Sequence, residues 1–224
     1  MNSLFTNNIS LDHGTHTYQL LDDPEFRFAS VTEFIHEFFR KFDQEKTAKK
    51  LISEHPKYID RTLADVIKEW RKGAERGTIV HNELELFIKK GIEPKHELAS
   101  VGARWLKTKQ ENLDNTFYSE VIVYSKELGV AGTIDVLVYN KKQNTYHLVD
   151  WKTNKRINQK PFGNKKGILN ATQHLGDCNF IHYSLQLSFY RYILENCYGL
   201  KVGSQTLFHL RADNYKTYTV NYHE

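Results

Sequence analysis

Cysteine is nearly missing from this sequence: Cys178 and Cys197 are the only two among 224 residues. Two thiols make no disulfide framework and no four-cysteine zinc or iron–sulfur site. Their scarcity points to a reduced, intracellular and cytoplasmic setting. No apolar run approaches the ~20 residues that a membrane span needs, so no membrane partner is expected. The first seven residues hold no charged stretch followed by an apolar one, so no signal peptide is expected. The G-x-x-x-x-G-K-[ST] phosphate loop is absent, which excludes an ATP-driven motor within the chain. No internal repeat and no low-complexity linker interrupts the sequence. Acidic residues are lacking in one place that matters. From Trp151 to Gly176 there is none, while Lys152, Lys155, Arg156, Lys160, Lys165 and Lys166 fall in the same stretch.

What is present is ordinary for a globular chain. Hydrophobic residues make up 40% and charged residues 26%, with a mean hydropathy of −0.60. Lys and Arg outnumber Asp and Glu by 31 to 27, a mild excess that permits a polyanionic partner without demanding one. The length suits a single domain with a sizeable core. Residues 8–21 alternate around His13-Gly14 as a short hairpin would. Ser30-Val31-Thr32-Glu33 is a capping box, and Phe34, Phe38, Phe39 and Phe42 follow at helical spacing, which predicts a helix over 31–43. Residues 44–54 also read as helix, broken at Pro56. Thr62 opens a further helix, Gly73 and Gly77 punctuate it, and another runs from Thr78 to about Lys90. Residues 96–112 are helical again. The character then changes. Residues 117–124, 130–139 and 146–151 are rich in β-branched and aromatic side chains and read as three antiparallel strands. A basic loop, a helix over 181–196 and two short strands, 205–211 and 216–222, close the chain. The expected class is α+β, with a mostly helical portion over 1–112 and a sheet core over 113–224.

The densest chemistry lies in the hairpin of residues 132–152. Asp150 and Lys152 share a strand face, because side chains alternate along a strand. A turn centred between Lys142 and Gln143 pairs Asp135 directly with Asp150, on one face and about 5 Å apart at Cβ. Opposed carboxylates repel, and a divalent cation resolves that conflict. Mg²⁺ takes one or two carboxylates, keeps several waters and binds phosphates. Lys152 on the same face could position a water or balance charge on a phosphate, a cluster suited to phosphodiester hydrolysis. Spacing alone leaves open a solvated face carrying a Lys–Asp pair.

Four motifs in order carry a resemblance. They are Gly77-Thr78-Ile79-Val80-His81, Gly132-Thr133-Ile134-Asp135, Asp150-Trp151-Lys152 and Gln186-Leu187-Ser188-Phe189-Tyr190. The set resembles the PD-(D/E)XK nuclease superfamily in its RecB-like branch, which includes the RecB nuclease domain and the mitochondrial genome-maintenance exonuclease. The resemblance implies a restriction-endonuclease-like mixed sheet flanked by helices. It implies that Asp135, Asp150 and His81 bind metal, with the backbone carbonyl of Trp151 and the carboxylate of Glu120 as further ligands. Lys152 is then the catalytic lysine, with Gln186 and Tyr190 beside the active site. Beside that reading, Tyr183, Gln186 and Tyr190 share one helix face. Imidazole suits Mn²⁺ better than Mg²⁺, so both ions are candidate cofactors. The lack of a cysteine cluster sets the chain apart from iron–sulfur members.

The implied activity is a metal-dependent DNA nuclease acting as an exonuclease or on single strands and flaps. DNA with single-stranded ends is the implied partner. Lys155, Arg156, Lys160, Lys165 and Lys166 lead out of the metal strand, where a phosphate backbone would approach. Two other readings stay open. One is a protein that keeps the fold and binds nucleic acid or a partner without catalysis. The other is a nuclease subunit working with a helicase or recombinase.

Overall fold

The computed structural model describes residues 8–223. The signal-peptide expectation, read from the first seven residues, lies outside them. The expected hairpin forms as β1 (Ile9–Asp12) and β2 (Thr17–Leu20), antiparallel with Ile9 opposite Leu20. Tyr18 and Leu20 are buried, and the Tyr18 hydroxyl lies 3.0 Å from the Thr133 hydroxyl, which pins the hairpin to the sheet.

A two-residue strand, β3 (Ala29–Ser30), leads into α1 (Val31–His36) through the expected capping box. The helix ends at His36 and does not reach residue 43. Beyond it the chain closes in three-residue turns, and the Phe38 carbonyl accepts from Ile168 N–H at 2.8 Å. A carbonyl committed to a distant loop is lost to the helix. Next come α2 (Gln44–Glu54) and α3 (Leu63–Lys90). The expected break near Gly73 and Gly77 does not occur: α3 is a single 28-residue helix stopped at Gly91, whose φ of 67° is left-handed. Two glycines cost about 1 kcal/mol each, which packing of Val66, Val80, Leu84 and Phe87 outweighs. The last helix of this half is α4 (Glu97–Gln110).

The sheet follows. The three expected antiparallel strands are β4 (Asn115–Ser125), β5 (Val130–Asn140) and β6 (Thr145–Lys152), each slightly longer than its sequence pattern. After the basic segment come α5 (Asn179–Asn196), β7 (Val202–Leu210) and β8 (Tyr215–Thr219). β6 and β7 are parallel and β7 and β8 antiparallel, so the sheet is mixed. Helices cover both faces. Leu137, Leu148 and Leu207 face α1 and α5; Val136, Val149, Trp151 and Phe208 face α3 and α4. This is the α+β architecture expected, a mixed sheet flanked by helices.

One irregularity positions everything that follows. β4 runs along one edge of β5 from Val130 to Asn140. On the other edge, β6 covers only Val136–Asn140, and β3 covers only Val130–Ala131. Gly132, Thr133 and Ile134 lie between, paired with β4 alone, and Asp135 falls where both ladders are interrupted.

Candidate metal centre

The β5–β6 register is the one the turn predicts: Asn140 opposes Thr145 and Val136 opposes Val149. Pairing stops there, one step before Asp135 and Asp150. The freed Trp151 backbone is then satisfied by side chains. Its N–H donates to Asp135 Oδ2 at 2.7 Å, and its carbonyl oxygen lies 3.2 Å from His81 Nε2. His81 comes from α3, and its Nδ1 is 3.5 Å from Asp135 Oδ1.

Glu120 completes this group from β4. The ladder skips it: Ser119 opposes Val136, Val121 opposes Ile134, and Glu120 stands between with φ of 50°. A left-handed non-glycine residue inside a strand is strained, and such strain is held where surroundings impose it. Here it accompanies a carboxylate delivered to the gap. One ligand atom each of His81, Glu120 and Asp135 lie within 4.8 Å of one another.

Asp150 and Lys152 point to the α5 side. Asp150 is 2% exposed; its Oδ2 is 2.6 Å from Lys152 Nζ, and its buried Oδ1 has no hydrogen-bond partner. The ammonium of Lys152 is enclosed by three groups. Besides Asp150, it meets Gln186 Oε1 at 3.4 Å and lies over the Tyr183 ring, 4.3 Å from its centroid. Gln186 Nε2 in turn donates to the Tyr190 hydroxyl at 3.0 Å. Tyr190 occupies the space over Gly132, where a Cβ would come within 2.5 Å of its ring. That close approach explains the glycine at the head of the Gly132-Thr133-Ile134-Asp135 motif.

The electrostatics record a site crowded with acids. Burial pushes Glu120 up to about 8, and the charge of Asp135 adds to it. Burial likewise raises Asp150 to about 6, against the pull of Lys152. Burial works against a charged His81, yet the Asp135 carboxylate prevails and raises it to about 9. Asp135 is held below its ordinary value: burial opposes this, and the His81 charge outweighs it. Lys152 is raised in the same way, its burial overcome by Asp150. Protons thus occupy Glu120 and His81 at neutral pH, where a cation would replace them. One imidazole nitrogen, two carboxylates and a backbone carbonyl make a donor set that fits Mg²⁺ or Mn²⁺. The unpartnered Asp150 Oδ1 beside them fits an ion or its water.

The five basic residues lie apart from this group on the segment after β6, and all are exposed. Lys155 is bonded to Glu69 of α3, which also holds Arg61; Glu69 is lowered to about 2 by those two hydrogen bonds. The Arg156 carbonyl accepts from Asn179 Nδ2 at 3.0 Å, and the Lys165 carbonyl from Asp177 N–H at 2.9 Å. Lys166 bridges to Gly176. No ion pair engages Arg156, Lys160, Lys165 or Lys166 among the described residues. One contributor is absent from the sequence reading, and another enters it only as a member of the Gln186 helix face. Tyr183 donates to Asn154 Oδ1 at 2.9 Å, and His209 Nε2 meets the Asn154 carbonyl at 2.6 Å. Tyr183 had a signal, its place on the Gln186 face. His209 had none, because it depends on the parallel pairing of β6 with β7.

Among the described residues no helix is long and apolar enough to cross a membrane. The family model described as the PD-(D/E)XK nuclease superfamily matches residues 15–222. No curated protein matches the sequence. Among solved structures, the chain is similar to one described as "Crystal structure of SSO0001", at 14% identity and a TM-score of 0.39. The match covers 87% of this chain and 66% of that one, so this chain spans just under two thirds of its length.

Proposed function

Since the chain belongs to the PD-(D/E)XK nuclease superfamily, we propose that it is a metal-dependent deoxyribonuclease of the RecB-like branch, acting on single-stranded ends or flaps. The observation that carries this is the gap in β5 pairing. There His81, Glu120 and Asp135 converge, with a buried Asp150–Lys152 pair on the adjoining strand.

His81, Glu120, Asp135 and the Trp151 carbonyl would hold the ion, with Asp150 beside it. When bound, the ion supplies charge to a phosphoryl oxygen and lowers the pKa of a bound water. The protein's own groups do the rest. Asp135 bonds the Trp151 N–H and so fixes both strands at the separation that opens the site. Lys152 keeps its proton and brings a positive charge to the reacting phosphate. Gln186 and the Tyr183 face fix where that charge sits. Asp150 offers a buried acceptor for a water proton. The unpaired cations Arg156, Lys160, Lys165 and Lys166 give the phosphate backbone a sequence-independent approach.

A degradation assay tests the reading. Linear and circular, single- and double-stranded DNA and RNA would be incubated with Mg²⁺, Mn²⁺ or EDTA. Cleavage of linear single-stranded DNA, abolished by EDTA, is expected. Cutting of circles as fast as of linear strands overturns the end requirement, and an absence of cutting with either ion overturns the activity.

A further inference from the structure

Trp70 lies eleven residues before His81 on α3. Eleven residues are three helical turns plus about 20°, so both fall on one stripe of the helix, about 16 Å apart along its axis. Ala74 and Gly77 lie between them on that stripe. Phe42, which the sequence places in a helix, instead sits on the loop after α1 and packs on Trp70, with ring centroids 5.8 Å apart at 55°. Phe42 is 70% exposed. An aromatic ring this open beside a second one is a surface awaiting a flat partner.

The charge around the pair says what that partner is. Arg40 and Arg71, two and one residues away in sequence, are exposed and in no ion pair among the described residues. Glu69, the acid beside Trp70, is already taken by Arg61 and Lys155. Lys155 is three residues past Lys152, so this tether ties the aromatic pair to the segment leaving the metal strand.

Resting on the nuclease reading above, we propose that Phe42 and Trp70 form a stacking platform for one unpaired base of a single-stranded substrate, three helical turns from the metal centre. Bases inside a duplex are already stacked on both faces and paired at their edges, so the platform favours single strands. About 16 Å corresponds to about five nucleotides at the duplex rise of ~3.4 Å, and fewer in an extended strand. Stacking on aromatic rings is sequence-tolerant and substantial for each base.

Fluorescence in EDTA, where no cleavage occurs, tests this on the full chain with a 12-residue oligothymidylate. Trp151 is buried and Trp105 packs against it and Phe208, so Trp70 is the responsive indole. Binding is expected to quench emission in the wild type, and the quench is expected to vanish in Trp70→Phe, whose affinity stays close to wild type. The double variant Phe42→Ala/Trp70→Ala is expected to lose about tenfold or more in single-strand affinity while blunt-duplex affinity is unchanged. Unchanged single-strand affinity, an equal loss on duplex, or a wild-type quench absent despite binding overturns the platform. A dimer in sedimentation that the double variant abolishes places a second copy on the pair and also overturns it. Quenching without cleavage in Mg²⁺ or Mn²⁺ sinks the nuclease reading alone. Cleavage with no response from either aromatic sinks this proposal alone.

Discussion

Asp150 and Lys152 form a pair out of water, which changes what their substitution does. A polar strand face suggests that both tolerate change, yet the two side chains are 2% and 14% exposed. Removing one partner of a buried pair leaves the other uncompensated, at a cost of about 3–5 kcal/mol. Lys152→Ala is therefore expected to destabilise by a few kcal/mol in urea as well as to stop cleavage. Asp150→Asn leaves Lys152 its Gln186 and Tyr183 neighbours, and burial already favours the neutral acid. That variant is expected to keep its circular dichroism and lose at least about a hundredfold in cleavage rate. Near-normal turnover in Asp150→Asn would remove the acid from the mechanism. The pH dependence belongs to this scale too. His81 and Glu120 are raised, so above about pH 7 these two hold protons that the unfolded chain has lost, whereas burial lowers His147, His182, His209 and His223, which act the other way only at lower pH. Stability in EDTA is then expected to fall as pH rises from about 7 to 9, through the raised values of Glu120 and His81. Metal affinity runs the opposite way, because the ion competes with those protons. Calorimetry with Mn²⁺ at pH 7, in buffers of different ionisation enthalpy, is expected to show proton release. A melting temperature that climbs between about pH 7 and 9 in EDTA would contradict the assignment.

Among the elements, α3 and β5 show where sequence patterns succeed and where they fail. The β5–β6 register was legible, because period-two alternation and a short polar turn are local signals. Continuity of α3 was not: Gly73 and Gly77 look like punctuation, and only tertiary packing keeps the helix whole. Likewise Phe38 and Phe42 keep helical spacing, but a carbonyl owed to Ile168 ends α1 early. The site followed the same division. Asp135, Asp150 and Lys152 stood out by spacing; the separation of Asp150 from the His81–Glu120–Asp135 group did not, since it needs the strands to part. The two glycines of most consequence give opposite expectations. A Cβ at Gly73 meets nothing within 4 Å, so Gly73→Ala is expected to stabilise by about 0.5–1 kcal/mol and leave cleavage unaltered. Gly132→Ala drives a methyl into Tyr190 and is expected to cost about 1–3 kcal/mol and slow cleavage. Adding Tyr190→Leu should restore the stability but not the rate. Denaturation midpoints of the single and double variants decide whether that contact is the cause.

For the whole molecule, the relevant charge is local. The net excess of four positive charges is small, but an acid-free segment concentrates it beside the metal strand. Each lost phosphate contact lowers the log–log salt slope of single-strand binding by about 0.7. Neutralising Arg156, Lys165 and Lys166 together should lower it by about 2, with turnover at saturating substrate nearly unchanged. Lys155 is expected to contribute less, because Glu69 already engages it. Binding titrations over a salt series measure this, and an unchanged slope would move the track to the α2–α3 side.

The gap on β5 also has a history in time. Trp151 receives its backbone partners from Asp135, sixteen positions earlier, and from His81, seventy earlier. The strand that flanks it on the far side, β7, arrives only after a crossover through α5. Closing such loops is slow, and contacts of this range are made late. On a ribosome the cation pocket is expected to form only after β7 has emerged. A refolding experiment should show helical signal first and Mn²⁺ uptake last. A nascent or truncated chain ending before β7 would then carry every proposed ligand and still be unable to cut the nucleic acid around it.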